Sequence, residues 1–265
     1  MGILTSIGWV LVNLVQLLLA CAWCALWITV ALVAQLVTRR PDLSLMLARK
    51  PFSPGILTIL LSRLEVTGRE RPDLSGPHVY VCNHQSYSDI PALFIALPVP
   101  LRFIAKSPLF NLPFLGWYMR ATGMIAVHPE SPEKARRSLE AAASGVRDGA
   151  SILAFPEGHR TEDGTIGPFK KGPFKLALMT GVSVVPIAID GTLETANLRR
   201  MRSRPSRIRV CIGAPIETRD LSPRDADRLT ELVRHEIVRL HRSIGGAGAG
   251  RENPAHDAPN ERRLA

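Results

Sequence analysis

The sequence predicts an α/β fold: one domain with a central mixed sheet flanked by helices, preceded by an N-terminal hydrophobic, membrane-anchoring helical segment. Three observations predict it. Residues 2–38 carry no charged side chain. Six short apolar, β-branched runs recur between residues 78 and 213. Helical periodicity appears between and after those runs, the alternation expected of a sheet covered by helices. At 265 residues the chain is long enough to bury a sizeable core.

The elements follow in order. Residues 1–38 form the anchor. As one helix the stretch from Ile3 to Val37 is about 52 Å long at ~1.5 Å per residue, against a hydrocarbon core of ~30 Å. It is therefore a tilted span with an interfacial end, or two short helices in one leaflet. No proline interrupts it, which favours a continuous helix. A secretory signal would carry a basic start and a shorter apolar run, of roughly 7–15 residues. Arg39, Arg40, Arg49, Lys50 and Arg63 crowd the C-terminal side of the anchor. By the positive-inside rule the rest of the chain faces the cytoplasm, at the inner (cytoplasmic) membrane. Residues 39–76 read as a basic connector rich in Pro and Arg, 77–242 as the main domain, and 243–265 as a disordered tail rich in Gly, Pro and charge.

Within the main domain the expected strands are 78–82, 101–105, 124–128, 151–155, 182–189 and 207–213. After Pro132, Ala135, Leu139, Ala142, Ala143 and Val146 share one helical face. From Arg224 onward Leu229, Leu232, Val233, Ile237 and Leu240 do the same.

Lys and Arg number 33 against 23 Asp and Glu, a net charge of +10. Such a chain seeks an acidic partner. With an apolar anchor in front, an anionic membrane surface or a phosphorylated ligand fits better than nucleic acid. Six arginines in residues 199–209 belong to the same pattern. Cys21 and Cys24 lie in the anchor as small helix residues, Cys82 and Cys211 at strand ends as core. No disulfide is expected.

Chemistry concentrates where apolar strands end in polar turns. In the first, "NHQSYSDIPAL", His84 leaves a strand and Asp89 opens a helix with Pro91 in its first turn. On a regular helix the two side chains would point about 140° apart. With a turn at residues 86–88 they meet, and the carboxylate can fix one ring nitrogen and leave the other as a base. The bland alternative is an N-cap aspartate and a loop histidine. In the second, "FPEGHR", Gly158 can take a positive φ or admit a close ligand, and Arg160 offers a fork for phosphate. Lys170 and Lys171 follow it. In the third, Lys106 ends a strand ahead of Phe110, Leu112, Phe114, Leu115 and Trp117. These read either as core or as an apolar wall beside a cationic rim, suited to a substrate with a fatty chain and an anionic head.

Together these blocks resemble the glycerolipid acyltransferase family, typified by 1-acylglycerol-3-phosphate acyltransferases. Asn83–Asp89 is similar to the family's N-H-x-x-x-x-D signature, "FPEGHR" to its F-P-E-G-T-R block, "KSPLFNLPFLGWYMRATG" to the block between them, and "VVPIAIDGT" (184–192) to the fourth. All occur in order. The resemblance implies transfer of a fatty acyl group from an acyl thioester donor, acyl-CoA or acyl carrier protein, to the hydroxyl of a lysophospholipid acceptor, with no cofactor or metal. His84 would take the proton and Asp89 would stabilise the imidazolium. Lys106 and Arg160 would hold the acceptor phosphate, with Glu157 orienting that pocket through Arg160 beside Gly158. The chain departs from the pattern at His159, where Thr is usual, at Thr161, where Ser is usual, and at Pro129, where Arg is usual. Pro129 opens the acceptor to another lysolipid, such as an amino-acid lipid. Two other classes remain: a metal-dependent hydrolase using His84, Asp89, Glu157 and His159, whose spacing fits no standard metal signature, and a catalytically silent lipid-binding protein.

Overall fold

The computed structural model describes residues 3–68, 74, 76–128, 131–195 and 203–249. Pro129, residues 199–202 and the tail from 250 onward lie outside the described residues.

The apolar N-terminal stretch is one unbroken helix, α1 (Ile3–Thr38). From Gly8 to Thr38 it is long and apolar enough to cross a membrane. Most of its leucines and valines are exposed, as at Leu36, whose relative exposure is 80%. Its polar and indole groups turn inward instead. Gln16 donates to Ile59 O at 2.9 Å and Trp23 to Phe52 O at 3.0 Å. The helix is therefore tied to the segment that follows it.

That segment is more structured than a connector. It contains α2 (Pro41–Leu47), a π-helical turn (Ala48–Phe52), α3 (Ser53–Ile59) and a strand, β1 (Arg63–Thr67). Pro51, which has no N–H to give, sits inside the widened turn. β1 has mixed side chains and only five residues, too weak a pattern to stand out in the sequence.

Six further strands fall on the six apolar runs: β2 (Val79–Cys82), β3 (Leu101–Lys106), β4 (Ile125–Val127), β5 (Ser151–Ala154), β6 (Val184–Asp190) and β7 (Arg207–Ile212). The sheet order is β1-β7-β6-β2-β5-β3-β4. Every pairing is parallel except β6 with β7, so the sheet is mixed. Alternation sorts the side chains into two layers. Tyr80 and Cys82 join Leu153, Val185 and Ile187 on one face, under α4 (Asp89–Ala96). Val79 and Val81 join Ile152, Val184 and Ala188 on the other. That second face is covered by α6 (Pro132–Arg147), α7 (Gly172–Thr180) and α9 (Ala226–Ser243), with α5 (Leu115–Ala121) and the single turn α8 (Thr192–Thr195) completing the helices.

Two further expectations change. Leu232, expected on the buried stripe of α9, is 52% exposed, while Leu229, Val233, Ile237 and Leu240 are buried. The described start of the expected tail, 244–249, is packed: Ala249 bridges to Ile166, and Ile166 N donates to Gly248 O at 3.0 Å. Glycine here marks close contact rather than freedom. The architecture fixes one thing for function. β6, β2, β5 and β3 run in one direction, so their C-terminal ends share one edge of the sheet, where open α/β sheets hold their ligands.

Candidate active site

At that edge β2 ends in Asn83. Its buried side chain continues the sheet, donating to Ile189 O and accepting from Ile189 N, both at 2.9 Å. The amide thus acts as a substitute peptide group on β6 and fixes where the next residue emerges.

That residue is His84. Its Nδ1 lies 2.6 Å from Asp89 Oδ2. The same oxygen accepts from Gln85 N at 2.8 Å and Ser86 N at 2.9 Å. The turn at 86–88 therefore folds back as the motif requires, and Asp89, fully buried, faces the imidazole from the first turn of α4. Asp89 works as a hub inside the loop rather than as a solvent-facing cap. The His84 ring lies flat on Phe155, with centroids 3.9 Å apart and planes 16° apart. Its side chain is 15% exposed. Nε2, the other ring nitrogen, has no hydrogen-bond partner among the described residues. An anchored Nδ1 and a free Nε2 make a base whose tautomer and direction are set beforehand.

The backbone of His84 is held from β5's side. Its N–H donates to Glu157 Oε1 at 2.9 Å, and its carbonyl accepts from Thr161 N at 2.9 Å. Glu157 Oε2 accepts from Gly167 N at 3.1 Å. Burial pushes the Glu157 carboxyl above its usual range, against the pull of the Gly167 and His84 amides. The carboxylate is used by two backbone N–H groups, so it does not orient Arg160 as the sequence suggested. It ties the histidine loop to the loop after β5.

Arg160 stands outside this buried core. Its guanidinium lies 3.8 Å over the ring of Tyr87, and both residues are exposed. No carboxylate pairs with it among the described residues. Gly158 has φ +74°, and a Cβ there would come within 2.6 Å of Lys170 Nζ. The positive φ and the missing side chain let that amine lie against the turn. Lys106 ends β3, two strands from β2 through β5 and exposed, roughly 10 Å away at ~4.8 Å per strand. His84, Asp89 and Glu157 thus come together directly, with Gly158 and Arg160 on the loop that follows Glu157 and Lys106 at the end of β3 on the same edge of the sheet. His159 is exposed and points its Nδ1 toward Arg160 O. Among the described residues no three of His, Cys, Asp and Glu converge as a metal-binding group.

Sequence reasoning missed the Asn83 bridge, the Phe155 stack and the Tyr87 platform. The residues lie within the quoted blocks, but only the strand register brings them into contact. It also left 107–117 open between core and wall. Phe110 is buried, whereas Leu112, Phe114 and Trp117 are 46%, 51% and 54% exposed. Of the arginine run, Arg207 pairs with Glu65 and Arg209 with Asp190 across the sheet's far edge.

Comparison with known proteins agrees with this geometry. The sequence profile of the acyltransferase family matches residues 63–190. The 1-acyl-sn-glycerol-3-phosphate acyltransferase BAT2 of Brassica napus chloroplasts is 41% identical over 131 residues, 49% of this chain but only 38% of its own length. The chain thus matches well under half of that relative. The alpha form of 1-acyl-sn-glycerol-3-phosphate acyltransferase from Mus musculus is 30% identical over 190 residues, 71% of this chain and 67% of the mouse protein. The crystal structure of the 1-acyl-sn-glycerophosphate (LPA) acyltransferase PlsC from Thermotoga maritima superposes with a TM-score of 0.77 at 26% identity, covering 90% of this chain and 97% of that one. With likeness at this level in sequence over most of the mouse protein, and in structure over nearly the whole chain, this protein belongs to the acyltransferase family.

Proposed function

We propose that this protein moves a fatty acyl group from an acyl thioester, acyl-CoA or acyl carrier protein, to the free hydroxyl of a lysophospholipid, with 1-acylglycerol-3-phosphate as acceptor and phosphatidic acid as product. The observation that carries the reading is the 2.6 Å contact between His84 Nδ1 and Asp89 Oδ2, which leaves Nε2 as the accessible base. An alcohol attacks a thioester slowly until its proton is taken. Nε2 takes that proton as the hydroxyl oxygen bonds to the thioester carbon. Asp89 stabilises the imidazolium that forms. When the tetrahedral intermediate collapses, the C–S bond breaks and the proton passes from Nε2 to the departing sulfur, so His84 returns to its starting state.

Arg160 and Lys106 are the cations offered to the acceptor phosphate, with Lys170 beside Gly158 as a third. The exposed Leu112, Phe114 and Trp117 supply an apolar wall for the chain of the lipid. Glu157 acts from behind the site by holding the backbone of His84. The apolar α1 supports membrane attachment, and the basic residues after it support a catalytic domain on the cytoplasmic side of an anionic inner membrane.

Membranes bearing the wild type and His84→Ala, given labelled acyl thioester with lysophosphatidate or with a phosphate-free lysolipid, test the reading. Product from lysophosphatidate alone, lost in the variant, is the expected outcome. Product from the phosphate-free acceptor alone would keep the base and overturn the phosphate role of Arg160. Turnover surviving in His84→Ala would overturn the mechanism.

A further inference from the structure

Behind the candidate base lies a buried polar group that the mechanism above does not use. His241, on the last turn of α9, is fully buried. With Nδ1 accepting from the chain, its Nε2 carries the proton and lies 3.4 Å from Asp190 Oδ1, which also accepts from Gln85 Nε2 at 3.5 Å, so the carboxylate joins the two side chains. Thr192 Oγ1 donates to Gln85 Oε1 at 3.2 Å. Gln85 is the residue after His84, and its N–H is one of the donors on Asp89 Oδ2. The other face of His241 is held by the chain just beyond α9. Gly248 N donates to His241 Nδ1 at 3.0 Å, and Gly246 N to His241 O at 2.8 Å. A Cβ on Gly246 would lie 2.2 Å from His241 Nε2, so only glycine lets the chain cross the ring here.

The same segment reaches the site by a second route. Gly248 O accepts from Ile166 N at 3.0 Å, and Ala249 bridges to Ile166. Arg234 of α9 donates to Gly167 O at 3.1 Å. Gly167 N in turn donates to the Glu157 carboxylate that holds His84 N. The two routes meet at His84 and Asp89 from opposite sides.

We propose that residues 245–249 form a glycine strap that holds the His84–Asp89 pair in register, through His241, Asp190 and Gln85 on one side and through Ile166, Gly167 and Glu157 on the other. His241 and Gln85 are positioning residues: neither faces the mouth of the site, and both act on the pair through the loop that carries it. Only the kinetic part of this proposal rests on the acyl-transfer reading.

The test compares the full-length protein, in detergent, with Gly246→Ala and with Gly172→Ala, where a Cβ would meet nothing within 4 Å. Hydrogen exchange is read at the Gln85 and Ser86 amides and at β3, and kcat and KM are read on lysophosphatidate. In Gly246→Ala, exchange at Gln85 and Ser86 is expected to quicken about tenfold while β3 keeps its protection. Displacing the pair should lower kcat about tenfold or more with KM within about twofold. Gly172→Ala should match the wild type. Unchanged exchange at Gln85 and Ser86 overturns the strap, whatever the activity does. If Gly246→Ala loses protection everywhere, His241→Gln and His241→Leu decide. Gln keeps polar contacts to Gly248 and Asp190 and should retain both protection and kcat where Leu loses them; equal behaviour of the two overturns the proposal. A wild type that acylates no lysolipid removes the acyl-transfer reading, and the exchange measurement still decides the strap.

Discussion

The loop 83–89 and the segment 107–117 leave strands β2 and β3 at the same edge of the sheet, and they are built by opposite rules. The first is almost wholly polar and almost wholly buried, with Asn83, Gln85, Ser86, Ser88 and Asp89 each under 4% exposed. Its side-chain amides, its backbone N–H groups at 84–86 and the Oδ2 oxygen of its carboxylate are matched by specific partners, and Asp89 Oδ1 is the buried oxygen left without one. The second is rich in large apolar side chains, and several of them face outward. A polar loop can be buried only when its groups are paired, because each orphan costs free energy. An apolar segment can be exposed only at a modest cost in solubility, and an apolar ligand or surface removes that cost. The pairing makes the loop stiff. The exposed Leu112, Phe114 and Trp117 give the segment an apolar face that a ligand or surface could cover.

Substitutions test that contrast, in decreasing size of effect. His84→Ala should lower the rate of acyl transfer about a thousandfold or more, measured by single turnover, since it removes the proposed base. Asp89→Asn should cost about a hundredfold while the protein stays folded by circular dichroism. The three donors meet at Oδ2, so an amide can keep one oxygen there and lose the charge that steadies the imidazolium. Glu157→Ala should lower stability by about 2–4 kcal/mol in denaturant melts, because the N–H groups of His84 and Gly167 are left without their acceptor. Trp117→Ser, in the segment, should change stability by no more than about 0.5 kcal/mol. A loss as large as that of Glu157→Ala would mean that the segment is packed after all, and the contrast would fail.

The smallest effect is one of pH. The His241 ring beside Asp190 holds that carboxyl below its usual range, against the opposing effect of burial. A carboxyl with a lowered folded pKa adds stability above its unfolded pKa and loses it as pH falls through the folded value. Melting temperatures of wild type and Asp190→Asn should therefore differ most near neutrality and converge in acid. A gap that widens in acid would sink the assignment.

The same contrast explains what could be read in advance. The six strands were legible because period-two burial on both faces leaves continuous apolar runs such as Val79–Cys82. The His84–Asp89 pair was legible because a strand end and a helix start confine it within six residues. β1 was not legible, since an edge strand carrying Arg63 and Glu65 has no apolar signature. The packing of 245–249 was hidden for a different reason. Glycine signals freedom in a sequence, yet at Gly246 it marks the spot where nothing larger than hydrogen fits. Glu157 was found, but its partners were misassigned, because the strand register and not the local sequence decides what a buried carboxylate meets.

The position of β1 also bears on how the chain is made. Of the described strands it comes first in the sequence, separated from the apolar helix by α2, the π-helical turn and α3, and Arg63 finds its neighbour only at Arg207. Until β7 emerges, β1 has an open edge and no strand beside it. A nascent chain must therefore hold β1 unpaired until β7 has been made, and that closure of the sheet joins the first of the described strands to the last.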